Sequence, residues 1–407
     1  MTISLTQFKV ILILLRKQTI EENLIKIELN LMFMPEKSIH ELILDSFPSS
    51  NKENWRTAAV SEINNESPEE AFAWSEKDLL FQAYYDQDDV AKLSNQNNFQ
   101  LSPGNDPFLG PRAWVNMPGI KVIDEKVSNA DALAQLATGA DGILFDIGDC
   151  QQLNLEILLA EINWSYCSIS FRTNTMSSLE ENISEYIRKK KYDPAILTGT
   201  IFWDGEHDKI NSSKLLLAHL TKFKSLGLMV NASNPVEEIS DALIKGVNIL
   251  DGLSNLAVPV SNAIQYIAFS VPTSPNFFLE IAKLKALRML WFQVAQAYGE
   301  KKYQPFDLHL HIRSEAWTND LYQPNANMLK STTSALAAVL GGCNSLTIYA
   351  EENTSMMNRI ARNISGVLRE ESYIDKVADA TAGAYAIEKM TNEIAKASWL
   401  NFQQRTK

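Results

Sequence analysis

A (β/α)8 TIM barrel with an N-terminal helical arm and C-terminal helices is the fold class this sequence predicts. Eight short segments rich in β-branched and aromatic residues recur along residues 114–349, with runs of helical apolar spacing between them. Strands that alternate with helices pair in parallel, and eight such units close into a barrel. The 407 residues, 45% of them hydrophobic and 21% charged, also suffice to bury one large core.

The clearest unit is at 308–349. Leu308, Leu310 and Ile312 alternate as in a strand, 328–340 has the small and apolar spacing of a buried-face helix, Gly341 and Gly342 stop it, and Ser345-Leu-Thr-Ile-Tyr349 restarts a β-rich run. The full series of expected strands is 114–117, 142–147, 168–172, 198–203, 227–231, 265–270, 308–313 and 345–349. Expected helices are 129–138, 179–190, 212–226, 235–245, 277–298 and 328–340, with 357–371 and 382–402 after the last strand. Three regions follow: an extension at 1–33, a helical arm and linker at 34–106, and the barrel with its terminal helices at 107–405. Met34-Pro-Glu-Lys-Ser-Ile-His-Glu-Leu makes a natural first helical turn, which suggests that 1–33 stem from an upstream start codon or form a loosely held helix. Residues 46–80 read as polar and helical, and 86–106, rich in Asn, Gln, Ser and Asp, as a linker.

The formal charge of −12, from 49 acidic and 37 basic residues, argues against a nucleic-acid partner, which would need clustered cations. The one basic cluster, 188–191, fits a helix end where cations meet the carbonyl dipole. Cys150, Cys167 and Cys343 have neither disulfide-framework nor zinc spacing, which fits a reducing, cytoplasmic setting. The apolar run at 10–15 is too short to cross a membrane.

Three stretches resemble the methylmalonyl-CoA mutase family. They are Asn276-Phe-Phe-Leu-Glu-Ile-Ala-Lys-Leu-Lys-Ala-Leu-Arg-Met-Leu-Trp291, Ser314-Glu-Ala-Trp-Thr-Asn-Asp-Leu-Tyr-Gln-Pro324 continued by Asn325-Ala-Asn-Met-Leu-Lys-Ser-Thr-Thr333, and Arg359-Ile-Ala-Arg-Asn363 with Glu370-Glu-Ser-Tyr-Ile-Asp-Lys-Val-Ala-Asp379. They stand in the family's order and spacing, within a resemblance that covers 47–402 and is strongest after Asn276. It implies a barrel along whose axis an acyl-CoA threads, with adenosylcobalamin across the mouth. Active members carry Ser-Gly-Tyr-His after the fifth strand, a Tyr near the first strand and an Arg for the substrate carboxylate. Here the fifth-strand segment is Val230-Asn-Ala-Ser-Asn-Pro235, the first is Gly110-Pro-Arg-Ala-Trp-Val-Asn-Met-Pro118 without Tyr, and the sixth, Phe269-Ser-Val-Pro-Thr-Ser-Pro-Asn276, offers no acid or base. Arg112, Arg172 and Arg313 are the cations near strand ends, and none aligns with the family's Arg. The family's cobalt-binding Asp-x-His-x-x-Gly has one lookalike, Asp307-Leu-His309-Leu-His311-Ile312, which lacks the Gly and falls inside a strand. His309 and His311 are therefore expected as polar lining or hydrogen-bonded packing of the barrel.

These substitutions, with only two helices after the last strand, resemble the family's small, non-catalytic subunit, which lacks the C-terminal cobalamin-binding domain. The resemblance implies a heterodimer with a large catalytic subunit that holds adenosylcobalamin and, in propionate metabolism, interconverts methylmalonyl-CoA and succinyl-CoA. This chain would be an isomerase subunit inactive alone, cytoplasmic, with no nucleic-acid or membrane partner and no catalytic, cofactor or metal residues. Its barrel interior is expected to be plugged by side chains. The rival reading is a stand-alone barrel enzyme built on strand-end groups. Trp203-Asp204-Gly-Glu206-His207-Asp208 follows the fourth strand, and Asp146 and Asp149 follow the second, so Asp146, Glu206 and His207 are its candidate acid–base groups. Capping of loop backbone is the plainer role for these carboxylates. A further alternative is an assembly factor that acts on the mutase without remaining bound.

Overall fold

In the computed structural model, residues 50–63, 67–91, 93, 110–149, 153–174, 179–204, 217, 219–232, 234–314, 326–352 and 354–406 are described. The chain divides into two compact units, 1–68 and 69–407. Within the first, α1 (Lys52–Glu62) starts where Asn51 Oδ1 accepts the Asn54 N–H at 2.9 Å. In the second, residues 74–80, expected in a helical run, form with Phe81 an antiparallel hairpin of β1 (Trp74–Glu76) and β2 (Leu79–Phe81). The cause is a cross-strand aromatic pair, Trp74 with Phe81 at 4.5 Å between centroids, which buries Phe81 completely.

The barrel is built from β3 (Val115–Asn116), β4 (Gly119–Lys121), β5 (Gly142–Gly148), β6 (Ser168–Thr173), β7 (Gly199–Trp203), β8 (Phe223–Met229), β9 (Ile267–Pro272), β10 (His309–Arg313) and β11 (Ser345–Thr347). Their order in the sheet is β3-β11-β10-β9-β8-β7-β6-β5-β4, all parallel. β3 and β4 are consecutive, parted only by Met117 and Pro118, whose ring nitrogen has no hydrogen to give to a ladder. β3 pairs with β11 and β4 with β5, while the Met117 N–H reaches Leu346 O at 2.9 Å and Pro118 O accepts from Leu144 N at 3.0 Å. The two ends of the sheet thus meet in one broken strand, and the eight-stranded ring is closed.

Helices α2 (Glu125–Leu136), α3 (Leu179–Lys190), α4 (Pro235–Asn255), α5 (Phe277–Ala297), α6 (Ala326–Leu340), α7 (Ser355–Gly366) and α8 (Tyr385–Arg405) account for the expected helical runs with one correction. Residues 223–226, expected to end a helix, begin strand β8. Leu217, Leu220 and Phe223 fit helical spacing, but all three are fully buried beneath the sheet's outer face, where position rather than periodicity decides the backbone. Residues 217 and 219–222 of that expected helix are turn or irregular, whereas 212–216 and 218 lie outside the described residues, as do 1–49 and most of the 314–325 loop.

Outward strand residues pack against the helices in two clusters. Ile143, Phe145, Ile169, Phe171 and Ile201 meet Trp164 and Ile183 in one. Leu226, Leu228, Phe269, Leu310 and Leu346 meet Leu243, Leu284 and Trp291 in the other. Helix α5 sits so deep in the second that its polar residues are buried too. Lys283 joins Glu238 and Glu280 at 2.7 Å each, and Lys285 meets Asp379 at 3.1 Å. Arg288, 3% exposed, donates to Pro305 O (2.8 Å), Leu308 O (2.7 Å), Gly342 O (2.8 Å) and Asn344 Oδ1 (3.1 Å), which pins the approaches to β10 and β11. Replacing it by the apolar Arg288→Met leaves these acceptors buried without a donor. That change is expected to lower unfolding stability by about 3 kcal/mol, read from guanidinium denaturation midpoints; an unchanged midpoint would refute the pinning role.

Candidate functional site

Side chains alternate across each strand, so every second residue points to the barrel axis. Met117, Leu144, Phe202, Met229 and Ala268 form an interior cluster of their own, each at most 2% exposed. His311 stacks on Phe202 with centroids 4.5 Å apart. Around the axis, therefore, packed side chains occupy the middle of the barrel.

Above this layer, at the C-terminal ends where barrel enzymes place their chemistry, lies a continuous polar network. Asp146 on β5 and Arg172 on β6 are register partners, and the guanidinium bridges Asp146 at 3.5 Å and Asp204, just past β7, at 3.1 Å. Asn231, just past β8, donates to Asp204 Oδ1 at 2.7 Å. Arg313 on β10 donates to Asn231 Oδ1, to Val230 O (2.7 Å), and to Ser270 O (2.9 Å) and Oγ (3.1 Å). Two guanidinium groups thus face two carboxylates. Burial alone would lower the Arg172 pKa, but Asp146 and Asp204 outweigh it and hold the guanidinium above its ordinary range. Tyr349, close by, is raised by burial, with Arg172 working against the rise.

The network continues down through His311. Thr347 Oγ1 donates to Met117 O at 2.6 Å, so it accepts from His311 Nε2–H at 2.9 Å, and Ser270 Oγ donates to His311 Nδ1 at 2.8 Å. These directions fix a neutral imidazole protonated at Nε2. His309 Nε2 meets Ser345 Oγ at 3.0 Å. Burial pushes His309 down to about 3 and His311 well below the usual histidine range.

Asp146 also shapes the end of its own strand. Its Oδ1 accepts from Gly148 N at 3.2 Å, at the register shift where Gly148 takes a φ of 52°. Asp149 is exposed in the following turn. Glu206 and His207 lie outside the described residues, so of the three candidate acid–base groups only Asp146 is placed, in an ion pair. Of the three strand-end arginines, Arg172 and Arg313 converge on the mouth. Arg112 sits at the opposite end, donating to Cys343 O at 2.6 Å. Asp204, Asn231, Ser270 and Thr347 were not legible as a set; the available signal was opposite charges at the ends of adjacent strands. Among the described residues, no group of three or more His, Cys, Asp or Glu could hold a metal ion.

The two neutral histidines of β10, His309 half-buried and His311 buried, have a pH consequence. Their folded pKa values lie below the unfolded value of about 6.5, so between the two the unfolded chain binds more protons and stability falls as pH drops. From pH 6.5 to 5, His309 alone is expected to cost about 2 kcal/mol, and His311 adds in the same direction. Denaturation midpoints of the native protein and His309→Asn, compared across that window, check it. Equal slopes would show that His309 is protonated in the fold.

Residues 225–406 match the methylmalonyl-CoA mutase family. A methylmalonyl-CoA mutase small subunit from Porphyromonas gingivalis is 25% identical over 89% of this chain and 64% of its own length. A methylmalonyl-CoA mutase from Rhizobium meliloti is 32% identical over 40% of this chain and 22% of its own, and a methylmalonyl-CoA mutase large subunit from P. gingivalis is 29% identical over 40% and 23%. This chain therefore spans just under two thirds of the small-subunit relative and about a quarter or less of the other two. The matched span takes in strands β9 to β11 and helix α5, which carry half of the mouth network and its buried supports, and over that span the chain is similar to the methylmalonyl-CoA mutase family.

Proposed function

We propose that this chain is the non-catalytic small subunit of an adenosylcobalamin-dependent methylmalonyl-CoA mutase, and that it stabilises a large catalytic subunit in a one-to-one complex. The observation that carries the reading is the likeness to a small subunit along 89% of the chain. The charge pairing at the barrel mouth supports it. Catalysis on a thioester needs donors aimed at the substrate carbonyl in a shielded cavity, whereas Arg172 and Arg313 serve internal acceptors. That a large-subunit relative exists beside the small one in P. gingivalis supports a partner of the same family.

Adenosylcobalamin, in this reading, is held by the large subunit, which converts methylmalonyl-CoA to succinyl-CoA. The strand imidazoles of this chain do not fit a cobalt ligand, because His311 has both ring nitrogens engaged and His309 is bonded inside the barrel. No step of the reaction is assigned to residues of this chain; its contribution is binding and support. The assembly is expected in the cytoplasm. Among the described residues, no helix is long and apolar enough to cross a membrane.

Co-expression with the large subunit followed by sizing with light scattering should give a one-to-one complex with mutase activity. Separate elution of the two chains would sink the subunit reading. In the complex, the combined variant Asp146→Asn, Glu206→Gln, His207→Gln should keep activity within about twofold, whereas loss of a working acid–base set typically costs about 10²-fold or more and would move chemistry into this chain.

A further inference from the structure

Outside the barrel mouth network, a tightly enclosed set of charges lies where α4, α5 and the end of β9 meet. The side chain of Lys283 has no exposed surface, and it faces two carboxylates, Glu280 at 1% and Glu238 at 8% exposed. Its ammonium donates to Glu238 Oε2 at 2.7 Å and to Pro272 O at 2.8 Å. Glu280 Oε2 lies 2.7 Å from the same nitrogen but off the line of a hydrogen bond. Two carboxylates thus share one cation in a dry interior.

The charges of this set do not close. Fully ionised, they would leave one negative charge over, and a buried ion without a counter-charge neutralises instead. Cations on the neighbouring elements are engaged elsewhere. Lys77 meets the exposed Glu237 of α4, Lys245 and Arg405 meet Asp241, and Lys285 on α5 meets Asp379 and, from α8, Glu388. From α6, the Ser334 hydroxyl donates to Ser274 O. Burial raises Glu280 above the usual carboxylate range, with Lys283 opposing the rise and Glu238 adding to it. Burial alone would lower Lys283, but the two carboxylates outweigh it and keep it a cation. We propose that this cluster is a proton lock: the fold keeps one proton on the Glu238–Glu280 pair at neutral pH, seated at Glu280, and loses stability as rising pH draws it away. Because Lys283 also holds Pro272 O, the lock ties the seam between α4 and α5 to the end of β9 at the barrel mouth. The inference stands apart from the small-subunit reading.

An unfolded glutamate releases its proton near about pH 4.3. Above that pH the folded chain therefore binds one proton more than the unfolded chain, and this group raises the unfolding constant about tenfold per pH unit. Two measurements on the full chain test the lock. Infrared spectra at neutral pH should show the carbonyl band of an un-ionised carboxylic acid, and Glu280→Gln should remove it. Urea unfolding of the native chain and Glu280→Gln, between about pH 5.5 and 7.5, should give a native-to-variant ratio of unfolding constants that grows about tenfold per pH unit, since the amide stands in for the un-ionised acid. His309 and His311 titrate alike in both chains and cancel in the ratio. A ratio that does not change with pH overturns the lock, as does a band that survives in folded Glu280→Gln. Absence of the band from the native chain overturns it too, whether or not the variant folds.

Discussion

The rest of this structure depends on pairing charges inside a closed ring of strands. Eight strands enclose only enough room for side chains, and in this barrel the middle is taken by Leu144, Phe202, Met229 and His311. What remains at the C-terminal end is a layer of Arg and Asp. An ion removed from water costs several kcal/mol unless it is paired and hydrogen-bonded, so the geometry of this layer is dictated by mutual satisfaction. Strand register sets Asp146 opposite Arg172, and the next carboxylate and amide complete a chain that runs from Asp146 to Met117 O. Donors fixed in this way are not poised for a substrate, which is how one packing solution bears on function.

The outer layer meets the same constraint by a different route. Helix α5 is buried on nearly every face, and its Lys283, Lys285 and Arg288 reach carboxylates and backbone carbonyls on several neighbouring elements. Lys283 also donates to Pro272 O at the end of β9, so the helix shell and the barrel mouth are joined by one ammonium group. Burial lowers Arg288 to about 10, with Arg112 adding to the effect, yet it remains a cation at neutral pH. Such sites make partner removal costly, because each leaves uncompensated polar atoms in a dry interior.

The alternation of strands and helices was legible in the sequence because apolar periodicity reports which face an element buries, and that holds for β5, β6, β10 and α3 to within a residue or two. Where periodicity was ambiguous, packing decided. Leu217, Leu220 and Phe223 satisfy a helical spacing, yet Phe223 opens β8. Trp74 stands in a run that reads as a polar helix until it pairs with Phe81 across a hairpin. The network at the mouth was half legible. Arg172, Arg313 and Asp146 stand out by their place at strand ends, but Asn231 and Ser270 carry no signal of their own, since a hydrogen-bond partner across the barrel is a long-range fact.

By itself, then, the sequence determined the alternating β/α order, the paired inward placement of His309 and His311, and the family likeness, since each follows from local pattern or residue identity. Tertiary structure alone decided that the first strand breaks at Pro118 to close the ring, and which ionic groups neutralise one another. The physical reason is that desolvation and pairing depend on distances between residues far apart in the chain, which no local pattern encodes.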